Sequence, residues 1–207
     1  MMPGENGDRK AQAEMAPEEL LEYLRRRLPE FTPTAAPARI RVGYLNYVYR
    51  VRGEPESLIV KVTPPHIAAM PDVPLDQHRL DIEARSLMAF EPGGALESVG
   101  SADVRPPHPL DFDEPRHILV MEDVGDVPHL GRWLVQGDVG QNPLDEDGPG
   151  QLLGRFISGL HLASFADTKL AVDFDNRAIQ RSRLELQYAA VGDMCRKAGV
   201  ADADELG

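Results

Sequence analysis

The chain has 207 residues, 42% of them hydrophobic, enough to bury the core of one good-sized domain or of two small lobes. Lys and Arg number 22 against 34 Asp and Glu, a net charge of −12; such a surface repels phosphate backbones and anionic headgroups, so neither a nucleic acid nor a membrane partner is expected. The single cysteine, Cys195, excludes a disulfide scaffold and has no Cys or His at metal-ligand spacing, no apolar run approaches the ~20 residues of a bilayer span, and the polar N-terminus lacks a signal peptide's apolar centre, all of which fits a reducing cytoplasm.

Residues 1–16 mix Gly, charged and small residues without periodicity and are expected to form a disordered tail. A short helix follows, opening residues 17–38. Pro17, Glu18 and Glu19 mark its start, Leu20, Leu21, Leu24 and Leu28 its apolar face, and Pro29 its end. Arg25, Arg26 and Arg27 in its last turn are expected to complement the helix dipole, not to form a basic patch.

Residues 39–63 change to the two-residue period of strands. Arg39-Ile40-Arg41-Val42-Gly43 alternates, Tyr47-Val48-Tyr49-Arg50-Val51 alternates again, residues 53–56 supply a turn, and Ser57-Leu58-Ile59-Val60-Lys61-Val62 is a buried-type run. Three consecutive antiparallel strands are predicted. Pro64, Pro65, Pro71 and Pro74 mark a loop, and residues 76–90 then form a helix with Leu80, Ala84, Leu87 and Met88 facing inward and Glu83 on or beside that stripe.

After a Gly- and Pro-rich stretch, residues 109–113 and 117–121 read as a turn-linked strand pair. Beyond Glu122-Asp123-Val124-Gly125 only helical periods remain: a short helix over 130–135, a long one over 150–165 and a last one from the cap Asn176 to about residue 198. Leu152, Leu153, Phe156, Ile157, Leu160 and Ala163 share one broad face of the long helix, which predicts a core element. The acid-rich residues 138–147 are expected to be a solvated insert, Trp133 a packing residue and His161 a hydrogen-bonded core histidine. Asp111 and Asp113 alternate along one strand with no sugar-stacking aromatics nearby, which sets aside a glycosidase pair.

A strand, a Gly-containing turn, two strands of which the second ends in lysine, a helix with an inward glutamate, a strand pair and a polar hinge before an all-helical region are the parts of a kinase small lobe in order. Lysine at the end of a buried strand is costly to desolvate unless it is paired, and Lys61 and Glu83 stand where that pairing is expected. Gly43-Tyr44-Leu45-Asn46-Tyr47-Val48-Tyr49-Arg50-Val51 and Ser57-Leu58-Ile59-Val60-Lys61 resemble the first turn and third strand of the aminoglycoside phosphotransferase family, related to choline kinases and nearest the methylthioribose kinase branch. Residues 79–87 resemble that family's small-lobe helix, 117–124 its hinge strand, and Leu153-Gly154-Arg155-Phe156-Ile157-Ser158-Gly159-Leu160-His161 its first long large-lobe helix. The resemblance runs over residues 39–207.

The resemblance implies a two-lobe, protein-kinase-like α+β fold, with a small lobe over 39–121 and a hinge and partial helical lobe over 122–207. It implies ATP as cofactor, a small-molecule hydroxyl as phosphate acceptor, and magnesium where acidic ligands are supplied. Lys61 would hold the α- and β-phosphates, Glu83 would orient it, and the turn from Gly43 to Asn46 would lie over the phosphates. With one glycine in that turn, Asn46 is a candidate contributor. Adenine would meet backbone donors and acceptors of Glu122 and Val124. The family's His-x-Asp catalytic loop occurs nowhere in the sequence. Val172-Asp173-Phe174-Asp175 resembles its metal-binding segment only superficially and reads as a helix-capping loop. The chain is therefore expected to end ahead of the catalytic loop and to be inactive alone. A non-catalytic nucleotide- or partner-binding module and an inactive remnant stay open as alternatives.

Overall fold

A computed structural model describes residues 14–41, 43–127, 129–136, 148–189 and 191–200. Expectations for the tail before residue 14, for Val42, for the acid-rich insert and for the packing of the Trp133 side chain lie outside the described residues. The architecture is mixed α+β, with antiparallel sheets and several helices.

The first helix, α1 (Pro17–Arg27), starts on proline, carries Glu18 and Glu19 in its first turn and ends in three arginines. Leu20, Tyr23 and Leu24 are buried, Leu21 and Leu28 partly so. The arginines do more than complement the dipole. Arg27 grips Asp111 through Nη2–Oδ1 at 2.7 Å and Nε–Oδ2 at 2.9 Å, and the Tyr23 hydroxyl donates to the same carboxylate at 3.1 Å. Order begins earlier than expected, inside the predicted tail: Met15 is buried in the core, its carbonyl accepts from the Tyr49 hydroxyl at 3.2 Å, and Glu14 pairs with Arg39.

Strands follow in chain order: β1 (Thr32–Pro33), β2 (Ala38–Ile40), β3 (Tyr47–Val51), β4 (Gly53–Glu54), β5 (Leu58–Val62), β6 (His66–Ile67) and β7 (Met70–Pro74). The expected turn at 53–56 is in part β4, which pairs antiparallel with β1. Gly53 is required there, because a Cβ would meet the Phe31 ring at 2.3 Å. The proline-rich segment is not a plain loop either. β6 and β7 form a two-stranded ribbon with only two paired positions, and such a short ribbon tolerates prolines that lack an N–H.

Helix α2 (Arg79–Met88) buries Leu80 and Ala84 and half-buries Leu87, while Met88, its last residue, is exposed, contrary to expectation. Strands β8 (Pro109–Asp113) and β9 (Ile118–Glu122) complete a five-stranded sheet in the order β2-β3-β5-β9-β8. Alternation divides this sheet into two faces. Tyr47, Tyr49, Val51, Leu58, Val60, Val62, Ile118 and Val120 pack with α1 in one core, and Leu119 and Met121 pack with α2 in a second, joined by half-buried Ile59 and Phe112.

The helices α3 (Leu130–Gln136), α4 (Pro149–Ala166), α5 (Thr168–Asp173), α6 (Arg177–Arg183) and α7 (Val191–Lys197) follow. The last predicted helix is three pieces, since a π turn over Leu184–Ala189 lies between α6 and α7. Asn176 makes no side-chain cap; Asp175 accepts from the Arg177 N–H at 3.1 Å in its place. That bond agrees with the helix-capping reading of residues 172–175. Among the described residues the expected core helix α4 is covered on one side only: Leu160 and Ala163 are half-buried against a cluster of Ala89, Leu96 and Leu170, and Phe156 stacks on Phe90, whereas Ile157 is exposed and Phe165 is 94% exposed. His161 is exposed and is no core histidine. Amphipathic periodicity identifies a stripe without saying what covers it.

Candidate functional site

Lys61 is the fourth residue of β5, and strand alternation puts it on the face that α2 covers. Glu83 lies one turn into α2. Lys61 Nζ donates to both Glu83 oxygens, at 2.5 and 2.7 Å, with the lysine side chain 20% exposed and the glutamate 37%. The four-carbon stem lies against protein while the ammonium at its end still has access to solvent on one side. It can hold an anion without first being dragged out of bulk water.

The surroundings divide into three parts. Directly across from Lys61 in the sheet is Val48, and Ile59 lies two residues before it on β5; both are half-buried on the same face. They form an apolar strip beside the ammonium, a contact surface suited to a flat apolar ring. Neither residue was singled out in the sequence, although counting back by two from Lys61 finds Ile59.

The second part is the turn before β3. Gly43 has φ +104 and is exposed, a left-handed conformation that favours glycine. Asn46, expected to face an anion, turns its carbonyl oxygen inward in the structure. Asn46 Oδ1 accepts from Thr63 Oγ1 at 3.1 Å and from Arg79 Nη2 at 3.0 Å, so this oxygen ties the turn to the end of β5 and to α2.

The third part is the segment leaving β9. The Glu122 N–H is donated to the His108 carbonyl at 2.9 Å, so of its two backbone groups only the carbonyl stays a candidate for an outside partner. Val124 is exposed, and its peptide makes no hydrogen bond with another described residue. Arg50 fixes the segment against β3: Nη2 donates to Asp123 Oδ1 at 3.0 Å and to the Gly125 carbonyl at 3.1 Å, Nε sits 2.7 Å from Asp123 Oδ2 but off the hydrogen-bond line, and Nη1 reaches Asp126. No local pattern in the sequence marks Arg50 as a site residue, because its partners lie over seventy positions away.

The Glu122 side chain faces elsewhere. It takes a forked pair of bonds from Arg105, both 2.7 Å, and one from the His108 N–H at 2.9 Å. Arg105 first, with the His108 amide adding to it against an opposing burial effect, holds the Glu122 carboxyl down at about 2 from its ordinary 4.5. A carboxyl depressed in the folded state stabilises above its unfolded pKa and loses that contribution as pH falls toward the folded value. Between pH about 4.5 and 2 the wild-type chain is therefore expected to lose more stability than Glu122→Gln does, as read from urea midpoints at pH 6 and pH 3. Equal losses would show that the fork contributes nothing to stability.

Behind the site, Asp81 is buried two residues before Glu83, with its Oδ1 3.8 Å from His117 Nδ1, too far for a hydrogen bond. His117 has φ 50, which is why β9 starts one residue later than the sequence suggests. Among the described residues no three His, Cys, Asp or Glu side chains converge where a cation could sit. Asp173 closes α5, away from Lys61 in the chain and with no acidic partner set around it. No described helix is long and apolar enough to cross a membrane.

No protein-family model matches this chain, and no curated protein matches it.

Proposed function

We propose that this chain is the nucleotide-binding part of a protein-kinase-like phosphotransferase, in which ATP sits between the sheet and the helical region and the parent activity transfers phosphate to a hydroxyl of a small molecule. The observation that carries this reading is the Lys61–Glu83 pair, a strand-end ammonium gripped by a helix carboxylate at 2.5 and 2.7 Å beside a Gly43 turn and an apolar strip. Lys61 holds the α- and β-phosphates, and Glu83 keeps its ammonium in place. The turn over residues 43–46 covers the phosphates. Adenine rests on Val48 and Ile59, with the Glu122 carbonyl accepting from it and the Val124 N–H donating to it. In this reading the α+β fold is the two-lobe kinase arrangement, the sheet with α1 and α2 forming the small lobe.

Phosphoryl transfer needs a base for the acceptor hydroxyl and acidic ligands for magnesium, which would neutralise charge on the β- and γ-phosphates. The sequence has no His-x-Asp, and the described residues offer no convergent acidic set. These residues therefore do not fit a magnesium site, and the 207-residue chain binds nucleotide without transferring phosphate. That property belongs equally to a non-catalytic module, and the missing base and ligands are what favour this second reading.

Calorimetry with ATP and a coupled assay for ADP test the proposal together. The expected result is saturable ATP binding with no ADP formed over a panel of amino sugars, choline and ribosides. No ATP binding at millimolar nucleotide overturns the nucleotide reading, and ADP production overturns the prediction that this chain is inactive.

A further inference from the structure

Arg79 is the first residue of α2, one helical turn before Glu83, so both side chains leave the same helix face. Its Nη2 donates to the Leu45 carbonyl at 3.0 Å, Asn46 Oδ1 at 3.0 Å and the Pro64 carbonyl at 3.1 Å, while Nη1 donates to the carbonyls of Leu75 at 3.3 Å and Asp76 at 2.5 Å. No carboxylate hydrogen-bonds to this guanidinium among the described residues. Burial pushes its pKa down to about 10, which still leaves it charged at neutral pH. A desolvated cation held by four carbonyls and one side-chain amide is a costly way to close a helix start, and a fork of planar donors is what allows one residue to reach three segments.

The three segments are those that surround Lys61. Leu45 and Asn46 are in the turn proposed to lie over the phosphates, Pro64 follows β5 three residues after Lys61, and Leu75 and Asp76 lead into α2, which carries Glu83. Further bonds close the same circuit: Thr63 Oγ1 to Asn46 Oδ1 at 3.1 Å, Gln77 Nε2 to the Thr63 carbonyl at 2.7 Å, and the Ala69 N–H to the Tyr44 carbonyl at 2.9 Å. The turn has positive φ only at Gly43 among its described residues. Side-chain bonds therefore set its height over the sheet, where a glycine-rich loop would rely on its own backbone.

Resting on the nucleotide reading, we infer that Arg79 is a positioning residue for phosphate recognition: through it α2 fixes the 43–46 turn relative to Lys61, just as through Glu83 it fixes the lysine itself. The helix, the turn and the ammonium form one rigid unit, and the ligand class this unit selects is a nucleoside di- or triphosphate over a nucleoside. A nucleoside touches only the apolar strip and the hinge, which Arg79 does not contact.

The test compares ATP and adenosine affinities by calorimetry for the wild-type chain, Arg79→Met and Asn46→Ala, with amide exchange over residues 43–47 measured without nucleotide. Arg79→Met is expected to weaken ATP binding by about fivefold or more, a coupling of ordinary size between connected sites, while leaving adenosine affinity unchanged and speeding exchange in the turn. A general loss of structure would lower both affinities together. Should Arg79→Met fail to fold, Asn46→Ala removes one acceptor from the turn side alone and is expected to show the same selective loss. Wild-type ATP binding with an unchanged ATP-to-adenosine ratio in the variants overturns this inference and leaves the nucleotide reading intact. Absence of ATP binding by the wild-type chain overturns both.

Discussion

Lys61→Met is expected to remove nearly all of the ATP-dependent rise in melting temperature while leaving the ligand-free protein close to wild-type stability. Methionine keeps most of the lysine stem, so the contacts that the stem makes on the sheet face survive. Glu83, 37% exposed, is solvated well enough to lose its partner without a large penalty. Binding suffers differently. A charge-assisted bond to phosphate is worth about 1.5–3 kcal/mol, or roughly 10- to 150-fold in affinity. With ATP at about one hundred times its Kd, the wild-type chain gains about 2.7 kcal/mol. For a chain of this size that is about 5–10 °C, and a hundredfold loss of affinity leaves about 1–1.5 °C. A full ATP shift in Lys61→Met would place the nucleotide elsewhere.

Arg50→Met is expected to lower the stability of the folded chain markedly. The Asp123 side chain is 6% exposed and Arg50 16%, so removing the guanidinium strands a carboxylate that solvent barely reaches. Breaking a fully buried pair costs roughly 3–5 kcal/mol; about 2–3 kcal/mol is expected here, because the far end of Arg50 reaches solvent beside Asp126. Urea denaturation measures this directly. Asp126→Ala should leave the midpoint unchanged, since Asp126 is fully exposed and an exposed pair is worth little. The double variant Arg50→Met/Asp123→Leu should recover most of the loss, because no charge is then stranded. If the double variant is as unstable as Arg50→Met alone, the cost comes from packing and not from the unpaired carboxylate.

The legible parts of this fold are those whose signal is local. Pro17 with two glutamates and an arginine-rich end marks α1, alternation marks β3 and a buried-type apolar run marks β5. The Lys61–Glu83 pair was anticipated because both residues sit on strongly periodic elements, so each side chain's direction follows from counting. What escaped notice depends on distance along the chain. Arg50, Arg79 and Asp111 have partners 73, 34 and 84 positions away, at Asp123, Leu45 and Arg27. No local period encodes such a meeting. The prolines of β7 favoured a loop because a missing N–H matters in a wide sheet and hardly at all in a two-residue ribbon. The stripe on α4 promised a core, but a stripe records which residues avoid water and not which neighbour meets them. Asn46 is the instructive case within the site: its type and position suggested a role toward an anion, and its carbonyl oxygen instead serves Thr63 and Arg79.

A crystal structure with a non-hydrolysable ATP analogue puts the site itself to the question. The expected result is an α- or β-phosphate oxygen within hydrogen-bond distance of Lys61 Nζ and the base against Val48 and Ile59, next to the Val124 peptide. Nucleotide bound away from that sheet face, with Lys61 contacting Glu83 alone, would contradict it.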